Sequence, residues 1–326
     1  MTNGGRTLQS TAARCLHGVG WLVTGGAGWV VASVLIGIIW PWPTVVLQSA
    51  LPYLVGPVLV VLIVGAATRR LGLATTSAVV TVISAALVVP VLRARPVPSW
   101  AAGQGDIRVL SANVLYLNDR YTEMIDVITR TDPEVVALTE VTPSFLDALK
   151  QAGLDTRYPH ALASVPDQRV FSSVLRSKFP LTDQAATSAG AADIVGQVQV
   201  GKAKLTIVVV HARAPSNAAA LDEWNTGLRT LSDASTRWTG PIAMVGDFNA
   251  TYWHPPMRQL LGTGFASGHR DRGKGLTMSW PLDSWFTFTR LDHVLTKNDA
   301  VAARVVNVVM PGSDHLGFVV DLAVRQ

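Results

Sequence analysis

Cysteine is all but missing from this chain: Cys15 stands alone among 326 residues, so no disulfide can form within one molecule. The apolar run follows Cys15 instead of preceding it, which fits an ordinary thiol and not a lipidation site. Asp, Glu and Lys are absent from the first hundred positions, whose only formal charges are Arg6, Arg14, Arg69, Arg70, Arg93 and Arg95. Setting those six aside leaves 21 Lys+Arg against 22 Asp+Glu in the remainder, so the net +5 resides in the N-terminal part. That distribution argues against a broadly basic nucleic-acid-binding domain. There is no G-x-S-x-G elbow, no H-E-x-x-H and no C-x-x-C, which removes the commonest serine-hydrolase and zinc signatures. Internal repeats and low-complexity tracts are lacking too. Arginine outnumbers lysine 21 to 6, the bias of a GC-rich bacterial genome.

What fills the first 95 residues is apolar. Pro41-Trp42-Pro43 divides the uncharged stretch between Arg14 and Arg69 into spans at about 18–40 and 45–67, and a third run covers about 71–92. Each is long enough for a helix to cross the roughly 30 Å hydrocarbon core. Trp21, Trp40 and Trp42 fall near span ends, where indole rings favour the interface. Pro52 and Pro57 are candidate kinks in the second span. Three transmembrane helices with Arg6, Arg14, Arg69 and Arg70 inside and Arg93 and Arg95 outside satisfy the positive-inside rule. The chain is then a multi-pass protein of the cytoplasmic membrane, with its N-terminus cytoplasmic and everything beyond about residue 96 extracytoplasmic. A cleaved signal peptide is the competing reading, disfavoured by the length of the first run and the two that follow it. The segment 93–105, RARPVPSWAAGQG, reads as an extended tether, with 96–105 as the linker proper. Fully extended, it reaches only about 40 Å.

From Asp106 to Gln326 the texture is globular. Strands are expected at 107–114, 134–141, 241–247, 289–296, 301–309 and 317–324, and within VFSSVLRSKFP, DIVGQVQV and AKLTIVVVHA. Helices are expected at 119–130 with Asp119 as N-cap, at 142–153 with Thr142 as cap and Gly153 as stop, and at 217–233. Strands outnumber helices, which suggests a layered α/β sandwich.

The informative pattern is what stands where apolar strands stop. Asn113 follows IRVLSA, Glu140 follows VVALT, and His211 follows LTIVVV. Asp247 and Asn249 follow IAMVG, Asp292 sits within RLDHVL, and Asp314 and His315 precede LGFVVDL. Singly, each is a turn former, a cap or a structural histidine. Together they are a set of carboxylates, amides and histidines that converge if the strand ends share one rim. Carboxylate oxygens suit Mg²⁺ or Mn²⁺. Histidines with carboxylate partners suit proton transfer and charge stabilisation. The combination fits hydrolysis of a phosphoester by activated water.

The order Asn113, Glu140, VVHARAP (209–215), GDFNA (246–250), RLDHV (290–294) and SDH (313–315) resembles the endonuclease/exonuclease/phosphatase superfamily. LRSKFP (175–180) is similar to that family's Ser-basic-aromatic-Pro turn. The resemblance covers the whole globular part and implies a four-layer α/β/β/α sandwich. It implies that Glu140 holds a divalent metal, Mg²⁺ or Mn²⁺, with Asn113 and Asp314 beside it. It implies further that Asp247 activates water, Asn249 fixes that water or a phosphate oxygen, and His211 donates to the phosphoryl group. Asp292 would orient and charge His315. Some nuclease relatives carry an acid two residues after the first-strand Asn; that place is Leu115 here, which puts a second metal in doubt.

Within the superfamily, N-terminal spans followed by an outward-facing domain resemble the membrane-bound bacterial phosphohydrolases of vancomycin- and teicoplanin-type resistance. That architecture implies a polyprenyl-phosphate or other envelope-lipid substrate, with nucleic acid an unlikely partner. A surface-tethered nuclease and a phospholipase C- or sphingomyelinase-like phosphodiesterase are the alternatives, the cluster HRDRGKG (269–275) being the one basic patch to support the former. A lipid-binding pseudoenzyme is disfavoured because every catalytic position holds a competent residue. Arg213 is a candidate phosphate clamp, and Trp280, with Trp285, Phe286 and Phe288, a candidate aromatic rim for substrate, hydrophobic core being the preferred reading for Phe286 and Phe288. Trp253 and Tyr252 are candidates to line the pocket, whereas His17, His160 and His269 read as structural or exposed. A protease added to intact spheroplasts should remove the chain beyond about residue 96 if the arginine count sets the topology. Protection of that part would reverse the orientation.

Overall fold

The computed structural model describes residues 3–103, 105–164, 172–184, 190–282 and 287–326. Trp285 and Phe286 of the expected aromatic rim lie outside the described residues. The chain forms two compact units, one of residues 1–90 with Trp253–Pro255, the other of residues 91–252 with 256–326.

The first unit is helical: α1 (Asn3–Ile36), α2 (Pro43–Ser49), α3 (Leu51–Ala67) and α4 (Leu71–Leu92, which ends in the second unit). Arg14–Ile36 and Leu71–Leu92 are each long and apolar enough to cross a membrane. The second expected span is not one helix, because α2 and α3 meet at a 76° bend; they make a third span only if the pair counts as one broken crossing. Pro52 explains the break. It has no N–H to donate to the Gln48 carbonyl, so the helix cannot run on through Ala50. Buried polar pairs tie the helices together: Thr24 Oγ1 lies 2.8 Å from Ser77 Oγ, and Gln48 Nε2 donates to Ser33 Oγ at 3.0 Å. Of the small residues in the first span, Gly28 lies close to Val80 and Ala27 is buried, while Gly25 and Gly26 face open space.

The linker is not a free tether. Arg95 donates its backbone N–H to the Asp271 carbonyl at 2.9 Å, and Arg272 returns a hydrogen bond to the Arg95 carbonyl. A Cβ at Gly275 would stand 2.2 Å from the Val91 carbonyl oxygen, so only glycine lets the last turn of α4 lie there. The basic cluster HRDRGKG is therefore spent in part on holding residues 91–95, and His269 within it is fully buried.

Two six-stranded mixed sheets make the rest. The first runs through β1 (Ile107–Asn113), β2 (Val135–Val141), β3 (His160–Ala163), β4 (Ser172–Ser177), β11 (Ala300–Val309) and β12 (Leu316–Val324), in the order β11-β12-β1-β2-β4-β3. The second contains β5 (Leu181–Asp183), β6 (Ala192–Val200), β7 (Ala203–His211), β8 (Ile242–Asp247), β9 (Ala266–Ser267) and β10 (Asp292–Lys297), ordered β5-β6-β7-β8-β10-β9. Alternation along the strands builds the layers. Val109, Val135, Phe318 and Val320 face Ile207, Val209, Val245 and Val294 between the sheets. Leu110, Val136 and Leu138 point the other way, onto Met124 and Ile128 of α5 (Tyr121–Thr131) and Phe145 and Leu149 of α6 (Pro143–Gln151). Each such Leu, Val or Phe contributes about 1.5–3 kcal/mol by leaving water. Following α7 (Leu154–Arg157), helix α8 (Ala218–Ser235) buries Leu221, Trp224, Leu228 and Leu231 and ties to the second sheet by Trp224 Nε1 donating to the Phe248 carbonyl. The short α9 (Pro255–Gly262) and α10 (Gly268–Asp271) complete the chain.

Element boundaries differ from expectation where side-chain chemistry decides them. Asp119 does not cap α5. Asn118 Oδ1 instead accepts from the Arg120 N–H just before the helix. Thr142 does cap α6, accepting from the Phe145 N–H at 3.2 Å, and Gly153 ends that region with φ 75°. Asp292 is the first residue of β10 and not an interior one.

What positions the site is strand direction. β1 runs parallel to β2 and β7 parallel to β8, so Asn113, Glu140, His211 and Asp247 all stand at carboxyl ends. β10 and β12 run antiparallel to β8 and β1, which brings their starts, Asp292 and Leu316, to that same rim. Gly246 makes the last step of β8 possible. Its φ is +136°, and a Cβ there would lie 2.1 Å from the Val210 carbonyl oxygen. Gly246→Ala should destabilise the protein by about 2 kcal/mol or more, read as a lowered thermal midpoint, and a variant as stable as wild type would contradict this account of the rim.

Candidate active site

Cross-strand register lays down the first part of the site. His211 on β7 stands opposite Asp247 on β8, which stands opposite Asp292 on β10. Three polar residues thus form one row across adjacent strands, and all three are buried. His315 closes the row: its Nδ1 lies 2.9 Å from Asp292 Oδ2, and its Nε2 lies 3.8 Å from Asp247 Oδ2 and 3.9 Å from Asp314 Oδ1.

Glu140 comes from the other sheet. The β2–β4 ladder shifts register between Leu138 and Val141, and Glu140 sits in the left-handed region with φ 60°. Such a conformation is costly for a non-glycine residue and is kept where surrounding contacts over-determine it. Here it turns the carboxylate out of the ladder to accept from Asn113 Nδ2 at 2.9 Å and the Tyr116 N–H at 3.1 Å. Asn113 Nδ2 also donates to Asp247 Oδ2 at 3.2 Å, so one amide bridges carboxylates from the two sheets. Ser313 Oγ donates to the Asn113 carbonyl and accepts from the His315 N–H, joining the last motif to the first.

The electrostatics follow from burial and partners. Burial opposes ionisation of Glu140, but His211, Asn113 and the Tyr116 N–H overcome it and lower its pKa to about 2. Asp247 is the reverse case. Burial raises its pKa to about 6, with His315 pulling down and Asp292 pushing up. Burial also opposes charge on His315, yet Asp292 first, then Asp247 and Asp314, raise its pKa to about 10. His211 is raised as well, Glu140 and Asp247 outweighing desolvation. At neutral pH this is a protonated imidazole next to a carboxylate poised near neutrality.

Sequence reasoning missed Asp193. It lies within β6, and its Oδ2 accepts from Ser173 Oγ at 2.6 Å and faces His211 Nδ1 at 3.8 Å. The other ring nitrogen, Nε2, faces Glu140 Oε1 at 3.6 Å. His211 is therefore flanked by a carboxylate on each side. Asp193 escaped notice because it stands at the start of β6, beside the register shift between Ala192 and Ile194, and not where an apolar run stops.

Other expected residues take different places. Asn249, at φ 47°, is engaged within the protein: its Nδ2 donates to the Ala212 carbonyl and to Asp247 Oδ2, and its backbone N–H to Asp247 Oδ1. It braces Asp247 against the residue after His211. Arg213 is half exposed, with Nε 3.8 Å from Glu223 on α8, and is not drawn into the row. Trp280 is at the site, donating Nε1 to Asp314 Oδ2 at 3.0 Å with its ring 6.4 Å from His315. Tyr252 is buried away from the row, its hydroxyl on Ser267. His269 is a core residue packed edge-on against Phe318.

Two donor sets invite a metal. Donor atoms of Asp247, Asp292 and His315 all lie within 4.8 Å of one another. Yet Asp292 and His315 already bond each other, Nδ1 to Oδ2, which takes up one donor atom of each. Glu140 and Asp314 offer hard oxygens instead, and Asp314 Oδ1 is buried without a hydrogen-bond partner. That orphaned oxygen fits a divalent cation.

In metal-free protein, NMR of the His315 ring should show it protonated until about pH 10. Because the folded value lies above the ordinary 6.5, the ion pair stabilises the fold fully below pH 6.5 and fades as pH rises toward 10. Asp292→Asn should move the midpoint down. A wild-type midpoint near 6.5 would contradict the geometry.

Comparisons place this geometry. No curated protein sequence matches the chain. Similar solved structures include an endonuclease/exonuclease/phosphatase from Beutenbergia cavernae (17% identity, TM-score 0.50, 67% of this chain and 71% of that one). D. rerio TDP2 complexed with single-strand DNA product is another (16%, TM-score 0.53, 66% and 98%). An AP endonuclease from Archaeoglobus fulgidus is a third (13%, TM-score 0.53, 66% and 98%). At these identities the likeness is one of fold. The profile of the Endonuclease/Exonuclease/phosphatase family matches residues 110–315, a stretch that holds the row, Glu140 and both turns that carry them. By that match the chain belongs to the endonuclease/exonuclease/phosphatase family, whose members hydrolyse phosphoesters with divalent metals.

Proposed function

We propose that this protein is a membrane-anchored phosphohydrolase that cleaves a phosphoester or pyrophosphate of an envelope lipid, of the polyprenyl-phosphate type, at the outer face of the cytoplasmic membrane. The observation that carries the chemistry is the buried row His211–Asp247–Asp292 closed by His315 and faced by Glu140. Glu140 and Asp314, with Asn113 beside them, are the residues to hold Mg²⁺ or Mn²⁺. When bound there, the cation would polarise the phosphoryl oxygens and offset their charge. Asp247, lifted toward neutrality, accepts the proton of the attacking water, held in aim by Asn249. His315, kept charged by Asp292, and His211, flanked by Glu140 and Asp193, donate to the phosphoryl oxygens as charge builds.

The substrate class rests on the rest of the chain. Two or three helices long and apolar enough to span a membrane support a substrate met at the lipid surface. The second unit's charge is near neutral, and part of its one basic cluster is occupied by the linker. A duplex-binding surface needs several free cations along the phosphates. The nuclease reading keeps one support: TDP2 was seen with single-strand DNA and the Archaeoglobus protein is an AP endonuclease.

The full chain in detergent with Mg²⁺ should release phosphate from a polyprenyl diphosphate or phosphate and leave plasmid DNA unnicked. Asp292→Asn and His211→Ala should each lower kcat by roughly 100-fold or more. DNA nicking without lipid turnover would overturn the lipid reading, and activity untouched by either substitution would overturn the assignment of the site.

A further inference from the structure

Beyond residue 105, the large apolar side chains left exposed among the described residues are Tyr116 (38%), Leu117 (74%), Phe179 (42%) and Val309 (64%). Their distribution is uneven. Phe179 lies at the far end of the first sheet, next to Lys178, whose N–H donates to the Glu134 carbonyl at the start of β2. The other three stand at the end that carries the site. Tyr116 and Leu117 follow β1 closely after Asn113, and the Tyr116 N–H is one of the donors holding Glu140. Val309 is the last residue of β11 and pairs with Leu316, the neighbour of His315.

The turn that presents Tyr116 and Leu117 is built, not loose. Leu115 takes φ 57° so that its N–H reaches Asn113 Oδ1 at 3.0 Å. Asn118 closes the turn from its N–H to the Leu115 carbonyl, and its side chain donates to the carbonyls of Val114 and Pro311. Pro311 belongs to the turn that leaves Val309, so one asparagine ties both apolar edges together. A Cβ on Gly312 would strike that same Asn118 side chain, which keeps the two turns in contact. Solvent-facing leucine and valine beside a cluster of carboxylates serve neither packing nor the ion pairs. The nearest cation along the turn, Arg120, is paired with Glu123.

We propose that Tyr116, Leu117 and Val309 form an apolar rim that takes the first part of the hydrocarbon chain of an amphiphilic phosphate, while its phosphoryl end enters between Glu140 and His315. This rests on the lipid-phosphate reading above and adds how the tail is recognised. An apolar chain gains from leaving water against such a rim, whereas a short water-soluble phosphoester gains little.

The test compares kcat/KM of the full chain in detergent for a long polyprenyl diphosphate and for methyl diphosphate, which has no hydrocarbon chain to lay on the rim. Wild type should favour the long chain. In Leu117→Ser/Val309→Ser the ratio of long to short should fall by about tenfold or more, and Leu117→Phe/Val309→Ile should recover it. An unchanged ratio, or an equal fall for both substrates, would overturn the rim while leaving the lipid-phosphate reading in place. Wild type inactive on both diphosphates would remove that reading itself. Loss of DNA nicking in the serine variant, with the lipid ratio unmoved, would assign the rim to a polynucleotide instead.

Discussion

The bond between Asp292 and His315 is the contact on which the site depends. Both residues are buried, and neither could carry charge there alone without a large desolvation cost. Asp292 is the first of the carboxylates that keep the buried His315 ring charged. Once the ring is charged, Asp247 has a cation 3.8 Å away, and Asp314 has one at 3.9 Å. Three carboxylates from β8, β10 and the turn before β12 then share one cation within the rim. A neutral His315 would leave a knot of carboxylates with no internal counterion. The fold is arranged to deliver that pair: β10 starts at Asp292 because it runs opposite to β8, and His315 ends the turn that returns the chain alongside β1.

Much of this was readable from the sequence, for a physical reason. Strands buried on both faces are continuous apolar runs, so a polar residue at their end stands out. Asn113, Glu140, His211, Asp247, Asp292 and His315 were all visible in that way, and the structure gathers them. The two layers of core, between the sheets and beneath α5 and α6, follow from the alternation within the same runs.

What stayed hidden depends on contacts that sequence spacing does not encode. Asp193 lies at the start of β6 and acquires its place beside His211 only through the β6–β7 pairing and its register shift. Asn249 looked free to meet substrate, yet its amide is taken up by Ala212 and Asp247. Arg213 looked like a clamp, yet Glu223 near the start of α8 is its neighbour. The linker read as an extended tether by composition, and only the structure shows Asp271 and Arg272 receiving it. The bend between α2 and α3 was foreshadowed by Pro52, but its 76° angle was not.

The account divides the site by chemistry: hard oxygens of Glu140 and Asp314 for a cation, and a hydrogen-bonded Asp247–Asp292–His315 group for protons and phosphoryl charge. The competing arrangement uses those last three as the metal ligands, since their donor atoms also lie within 4.8 Å. Anomalous scattering from crystals of the full chain soaked in Mn²⁺ separates the two most directly. The account predicts a manganese peak against Glu140 and Asp314, with the Asp292–His315 hydrogen bond intact. A peak bonded to His315 Nε2 and the Asp247 and Asp292 carboxylates would contradict it.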